Sequence, residues 1–295
     1  MIKTEVFSIG DMPISLSWNP DKFGIALSPV LSEFSTFSED ENKHNISFTV
    51  NGFSDVDFAP YVEIFNTLPD GLWKMWKGKN EDKYLLSLHR IASDNSPYRF
   101  ATANNNFSDI QIFNDDKQTE FNPFEYPLDE LTISCYLNIN KTGIFLHSAM
   151  VIVNNAGYLF SGTSGAGKST FSELWLKDRD AEVSTDDRVI IRDKSGMLYA
   201  YGTPWHGTAS VHKNKGKALH RIYFLAHGSK NALQKLSTLD ATNRLMVRCF
   251  PTFWHKEGMQ FALDFCVRIA SEVECYEFNF VPDLSAIEFI KENIT

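Results

Sequence analysis

Gly162, Thr163, Ser164, Gly165, Ala166, Gly167, Lys168 and Ser169 form an unbroken Gly-x-x-x-x-Gly-Lys-Ser stretch, and this residue set is built for phosphate. A loop wrapped around a polyphosphate turns its backbone N–H groups inward. Glycine allows that because it adopts positive φ and has no side chain to block the anion. The loop then opens a helix whose positive end faces the ligand. Lys168 adds a full charge toward the terminal phosphates, and the Ser169 hydroxyl can enter the coordination shell of Mg²⁺. Thr170 follows at the start of the helix.

The flanking residues supply the elements such a loop requires. Tyr158, Leu159 and Phe160 read as a short apolar strand before it, and Phe171, Leu174 and Trp175 recur at helical spacing after it. Past that helix the chain returns through residues 182–185 to Asp186-Asp187. Phosphoryl transfer needs a carboxylate near the phosphate loop, normally at the end of a neighbouring strand. Two adjacent aspartates there offer one acid for the metal and one for an acceptor hydroxyl.

His147 lies in an apolar run, residues 144–153, that reads as a strand buried on both faces. An imidazole beside a carboxylate can orient and tune a base, although a histidine in an apolar strand is also an ordinary hydrogen-bonded core residue. Residues 203–208, Thr-Pro-Trp-His-Gly-Thr, read as a rigid loop that either shapes an acceptor pocket or simply turns. Arg244 and Arg248 are read as sharing a helix face, solvated or clamping a phosphate. His206, His212, Lys213, Lys215, Lys217 and His220 form a basic stretch that reads as an exposed segment or a mobile loop over the ligand.

The wider chain divides in two. Residues 1–125 read as a β-rich domain, mostly antiparallel, serving substrate recognition or regulation. Ile46, Phe48 and Val50 alternate with Ser47 and Thr49, and Asn51-Gly52 supplies a hairpin signal. Residues 72–77 and 84–90 read as a strand pair, and residues 38–43 as a charged exposed loop. Pro123 and Pro127 mark a boundary before a helix over 128–138. Residues 126–295 then mix strands and helices, an α/β or α+β nucleotide-binding domain. Helices are expected over 242–250 and 259–272, a strand over 275–281, and a last helix near Ser285 with Glu288 completing a capping box.

Composition sets the bounds. A chain of 295 residues with 43% hydrophobic content supports two cores, and 24 phenylalanines argue against disorder. A net charge of −9 argues against nucleic acid as a partner. No run of 18 apolar residues occurs, so no membrane span is expected, and the first residues lack an apolar signal region. Cys135, Cys249, Cys266 and Cys275 show no metal spacing, and Cys249 and Cys266 read as helical core residues. Together these features point to the cytoplasm. A homo-oligomer is compatible with the chain.

The residues Leu146-His147-Ser148-Ala149, the 162–170 loop and Ser184-Thr185-Asp186-Asp187 together resemble the C-terminal catalytic domain of HPr kinase/phosphorylase and its related kinases. That fold is similar to the nucleotide-binding core of PEP carboxykinase. The resemblance runs from about residue 128 to the end of the chain. It implies an ATP- and Mg²⁺-dependent kinase acting on a hydroxyl of a protein, peptide or small molecule. Residues 162–170 would bind the phosphates, with Ser169 and Asp187 serving the metal. Asp186 would be the general base, with His147 beside it. The chain departs from the family in two places. Thr203-Pro204-Trp205-His206-Gly207 stands where HPr kinases carry Glu-Ile-Arg-Gly-Leu-Gly, and Thr170 replaces their glutamate. A nucleotide-gated binding module without phosphotransfer is the alternative reading.

Overall fold

The computed structural model describes residues 1–36, 44–53, 57–68, 71–90, 97–114, 120–163 and 165–294. The charged stretch 38–43 and Ser164 of the glycine-rich loop therefore lie outside the described residues. The chain forms two compact units. One comprises Met1–Ser8, Met12–Asn140 and Thr252–Lys256, the other Ile9–Asp11, Lys141–Pro251 and Glu257–Thr295. The helix that follows Pro127 is counted in the first unit. The architecture is mixed α/β and rich in sheet.

The first unit carries β1 (Lys3–Ile9), β2 (Met12–Trp18), β3 (Gly24–Ile25), β4 (Ile46–Gly52), β5 (Tyr61–Asn66), β6 (Trp73–Gly78), β7 (Lys83–His89), β8 (Pro97–Asn104), β9 (Asp109–Asn114), β10 (Glu120–Phe121) and α1 (Leu128–Ile139). Eight strands form one sheet in the order β1-β2-β4-β9-β8-β7-β6-β5. Strands β5 to β9 pair antiparallel, including the expected β6–β7 pair. Strand β4 departs from the expectation, because it runs parallel to both β2 and β9. Its inward residues Ile46, Phe48 and Val50 are buried as the alternation requires. Asn51-Gly52 makes no hairpin turn. The type I′ hairpin that Asn-Gly favours needs positive φ at both central positions, whereas here both residues stay in the ladder opposite Phe113 and Asn114.

The second unit carries β11 (Gly143–Val153), β12 (Ala156–Ser161), α2 (Lys168–Trp175), β13 (Ala181–Thr185), β14 (Arg188–Lys194), β15 (Met197–Gly202), β16 (Gly216–His227), β17 (Ala232–Lys235), α3 (Thr238–Met246), α4 (Lys256–Glu272), β18 (Glu274–Phe280) and α5 (Ser285–Asn293). Two long strands serve two ladders each. The first half of β11 pairs with β14, and its second half with β12 and β13. The start of β16 pairs with β15, while the remainder lies parallel to β12 and β18. Asn154 and Asn155, at φ 48° and 65°, form the tight turn between β11 and β12. Asn tolerates this left-handed region better than most residues.

Both faces of the sheet are covered, which explains why β11 is apolar on both sides. Leu159, Ile222 and Phe224 pack on one face with Leu245 of α3 and Phe265 and Ile269 of α4. Phe160, Tyr223 and Phe278 pack on the other with Phe171 and Trp175 of α2 and Ile287 and Ile290 of α5. Burying side chains of this size stabilises the fold by about 1.5–3 kcal/mol each. The apolar spacing 171–174–175 thus anchors α2 and holds the loop before it.

Three helix expectations change. Helix α3 starts at Thr238, earlier than expected, because the Ser237 Oγ accepts from the Asp240 N–H at 3.1 Å and caps it. It ends at Met246, leaving Arg248 and Cys249 outside the helix. No capping box forms at α5. Ser285 is already helical, and its hydroxyl donates to Asp283 Oδ1 instead. All four cysteines are free and buried. Among the described residues no helix is long and apolar enough to cross a membrane.

Candidate phosphate-binding site

The loop leaves the C-terminal end of β12 and enters α2, the strand–loop–helix order that the sequence predicts. Gly165 and Gly167 take φ of 80° and 89°, and the Ala166 N–H donates to the Thr163 carbonyl at 3.0 Å to close a turn. The two glycines are needed for different reasons. A Cβ on Gly165 would meet nothing within 4 Å, so that side of the loop is open, whereas one on Gly167 would stand 2.9 Å from the Phe280 ring. Gly167→Ala therefore combines a disfavoured backbone with a collision. We expect it to weaken nucleotide binding at least tenfold, measured by calorimetry, with a backbone penalty of about 1 kcal/mol or more.

Lys168 is the first residue of α2. Its Nζ lies 3.5 Å from the Gly162 carbonyl. Burial pulls the ammonium below its ordinary range, opposed by the charge of Asp187, then reinforced by Arg188 and Arg248, with Asp186 acting most weakly. Of the two aspartates, Asp187 acts on the loop lysine the more strongly.

The two carboxylates sit where the chain passes from β13 to β14, between the ladders that β11 joins. This break sends their side chains in different directions. Asp186 is 2% exposed, and it accepts from the backbone N–H groups of Gly207 at 2.9 Å, Ala209 at 2.8 Å and Val211 at 3.4 Å. The resemblance implies a general base at this position; the structure buries its carboxylate against backbone N–H groups. Asp186 is occupied in holding the loop that begins at Thr203.

Asp187 instead faces the histidine. His147 Nε2 donates to Asp187 Oδ1 at 2.9 Å, and Arg188 Nη1 donates to Oδ2 at 2.6 Å. Burial raises the Asp187 carboxyl, but the His147 hydrogen bond and the charges of Arg188 and Lys168 outweigh it and hold the group below the usual carboxylate range. The backbone fixes the pair. The His147 N–H donates to the Arg248 carbonyl at 2.8 Å, the Ser148 N–H donates to the Asp187 carbonyl at 3.0 Å, and the Ser161 hydroxyl donates to the His147 carbonyl at 2.7 Å.

The remaining expectations resolve individually. Trp205 of the 203–208 loop packs edge-on against Phe145, and its carbonyl accepts from Thr185. The basic stretch is no free loop: Lys213 pairs with Glu182, Lys217 Nζ donates to Asn155, and residues from 216 onward are strand. Arg244 pairs with Glu277. Arg248 stacks on Phe224 at 5.2 Å, and its Nε finds no acceptor among the described residues. Burial, then the charge of Arg244, pulls its guanidinium below the ordinary range.

Two further residues join the site. Arg188 could have been suspected from its position beside the acidic pair. His227 gives no local signal beyond ending an apolar strand, yet its Nε2 donates to the Gly165 carbonyl at 2.8 Å.

The donor set fits a triphosphate and Mg²⁺. The loop offers positive-φ glycines, a helix opening and a lysine. Among the described residues no cluster of three or more His, Cys, Asp or Glu could hold a metal alone. Mg²⁺ suits such a site, because it commonly takes one or two protein oxygens and completes its shell with phosphate and water.

No family model matches this chain, and no curated protein matches it. Among solved structures, the HPr(Ser) kinase/phosphatase from Coxiella burnetii is similar over 50% of this chain and 94% of its own, at 13% identity and a TM-score of 0.32. That is a weak structural relation. The site has to be read from its own residues.

Proposed function

We propose that this protein is an ATP- and Mg²⁺-dependent kinase that moves the terminal phosphoryl group to a hydroxyl acceptor. The reading rests on one observation: the unit that carries the glycine-rich strand–loop–helix also holds a carboxylate, Asp187, oriented by His147 at 2.9 Å and Arg188 at 2.6 Å, one helix and one strand after Lys168. A phosphate-binding loop alone suits a nucleotide switch. A loop accompanied by an oriented, ionised carboxylate suits transfer.

The geometry supports the following roles. Loop amides and Lys168 bind the phosphates. Arg188 and Arg248 add positive charge where negative charge accumulates. An ionised carboxylate has about four lone-pair directions. His147 and Arg188 take two at Asp187, leaving capacity for the acceptor hydroxyl and for the metal shell. Asp187 thus takes the base role in place of Asp186, with His147 orienting it. Ser169 and Asp187 would hold Mg²⁺, which when bound neutralises phosphate charge. Most of the catalysis is positioning and electrostatics, as a loose phosphoryl-transfer transition state requires.

Incubation of the protein with terminally labelled ATP, Mg²⁺ and a cell extract should label an acceptor. Lys168→Ala should abolish that labelling and weaken ATP binding at least tenfold, because it removes a charge-assisted contact worth roughly 1.5–3 kcal/mol. Equal labelling by both proteins would overturn the assignment. Tight ATP binding with no acceptor labelled, but with altered protease sensitivity in residues 1–125, would favour the nucleotide-gated module.

A further inference from the structure

The glycine-rich loop is braced from outside by two residues that no phosphate motif includes. Strands β16 and β18 run parallel, and their last residues, His227 and Phe280, lie opposite one another in the ladder. Their rings stack, with centroids 5.9 Å apart and planes 24° from parallel. Phe280 lies under Gly167, filling the space a side chain there would need. His227 reaches the loop's other positive-φ glycine. Because a carbonyl can only accept, the Nε2 that lies 2.8 Å from the Gly165 oxygen must carry the proton.

That bond has a geometric consequence. The Gly165 carbonyl and the Ala166 N–H belong to one rigid peptide plane and point in opposite directions. Holding the carbonyl toward His227 therefore holds the Ala166 N–H in its turn with the Thr163 carbonyl. This fixes the approach to the first turn of α2, whose N–H groups have no intrahelical acceptors. Glycine at φ 80° has many other accessible conformations, so without the brace the loop would spend time in geometries that cannot cup an anion.

We propose that His227 is a positioning residue for nucleotide binding: its imidazole N–H locks the Gly165 peptide and pre-organises the loop for phosphate. This rests on the kinase reading only in requiring that the loop binds a nucleotide. The hydrogen bond of His227 is to the loop backbone, so it acts on affinity through the backbone.

The test separates the N–H from the ring. His227→Phe keeps a ring against Phe280 and removes the donor, while His227→Gln keeps an N–H donor and removes the ring. Binding of a non-hydrolysable ATP analogue with Mg²⁺ is measured by calorimetry, alongside the thermal unfolding midpoint of each variant. We expect His227→Phe to weaken binding roughly three- to tenfold, the usual worth of one net hydrogen bond. His227→Gln should recover most of that, and both midpoints should stay near wild type. His227→Phe binding like wild type, or His227→Gln failing as badly as His227→Phe, would overturn the proposal and leave the kinase reading intact. A wild-type protein that ignores the analogue would overturn both.

Discussion

Replacing Asp187 by Asn should reduce phosphoryl transfer by about 10²–10⁴-fold, the usual contribution of a positioned base, while ATP affinity, measured at saturating Mg²⁺ to offset the lost metal ligand, stays within a few-fold of wild type. Asn nearly preserves the shape and still accepts from His147 Nε2. It removes the negative charge that can take a proton, and it turns an N–H toward Arg188 in place of an acceptor. A loss confined to the transfer rate means the interaction is made in the transition state rather than in nucleotide binding. Single-turnover transfer and equilibrium binding, measured on the same preparation, check it. Loss of binding with unchanged transfer at saturation would assign Asp187 to the metal and phosphates alone.

The acidity of Asp187 adds a second readout. His147, Arg188 and Lys168 hold its carboxyl below the usual carboxylate range. The pairing with His147 and Arg188 therefore stabilises the fold at all pH above that range, and is lost only as pH falls through the depressed value. Asp187 stays ionised through mildly acidic conditions, so loss of activity between about pH 5 and 7 would have to arise from another group. Such a carboxylate is a weak base. That is tolerable in phosphoryl transfer, where a loose transition state asks the protein mainly to position the hydroxyl and balance charge. A reaction demanding early proton removal would have favoured a carboxyl raised toward neutrality.

Much of this site was legible because the relevant information is local. The glycine-rich loop, its strand and its helix occupy consecutive residues, and the spacing of Phe171, Leu174 and Trp175 declares which face of α2 is buried. His147 stood out as a polar residue in an apolar strand. The different fates of Asp186 and Asp187 were not legible. Neighbours in a strand point to opposite sides, and here the strand also breaks between two ladders, so direction depends on where β13 leaves β11 and β14 joins it. The same limit hid the parallel pairing of β4, whose Asn51-Gly52 carries a strong local turn signal that its two parallel partners override. It also hid His227, which meets Gly165 from 62 positions along the chain, a contact that no window of sequence contains.

Asp186 should respond to substitution in the opposite way from its neighbour. Asp186→Asn places an amide among three backbone N–H donors. One oxygen can still accept, but the NH₂ group must face a donor, so at least one buried N–H loses its partner. Charge-assisted hydrogen bonds of this kind contribute roughly 1.5–3 kcal/mol each, and a buried polar group left unmatched costs a further 1–3 kcal/mol. We therefore expect a destabilisation of about 3 kcal/mol, read as a shift in the denaturation midpoint at constant m. The loop from Gly207 to Val211 should lose order first, seen as faster amide exchange at Gly207, Ala209 and Val211. Transfer by the molecules that remain folded should fall less than in Asp187→Asn, because the His147 pair and the loop lysine are untouched. If Asp186→Asn instead keeps wild-type stability and abolishes transfer, the base belongs to Asp186, and the loop its oxygens hold must open to admit the acceptor.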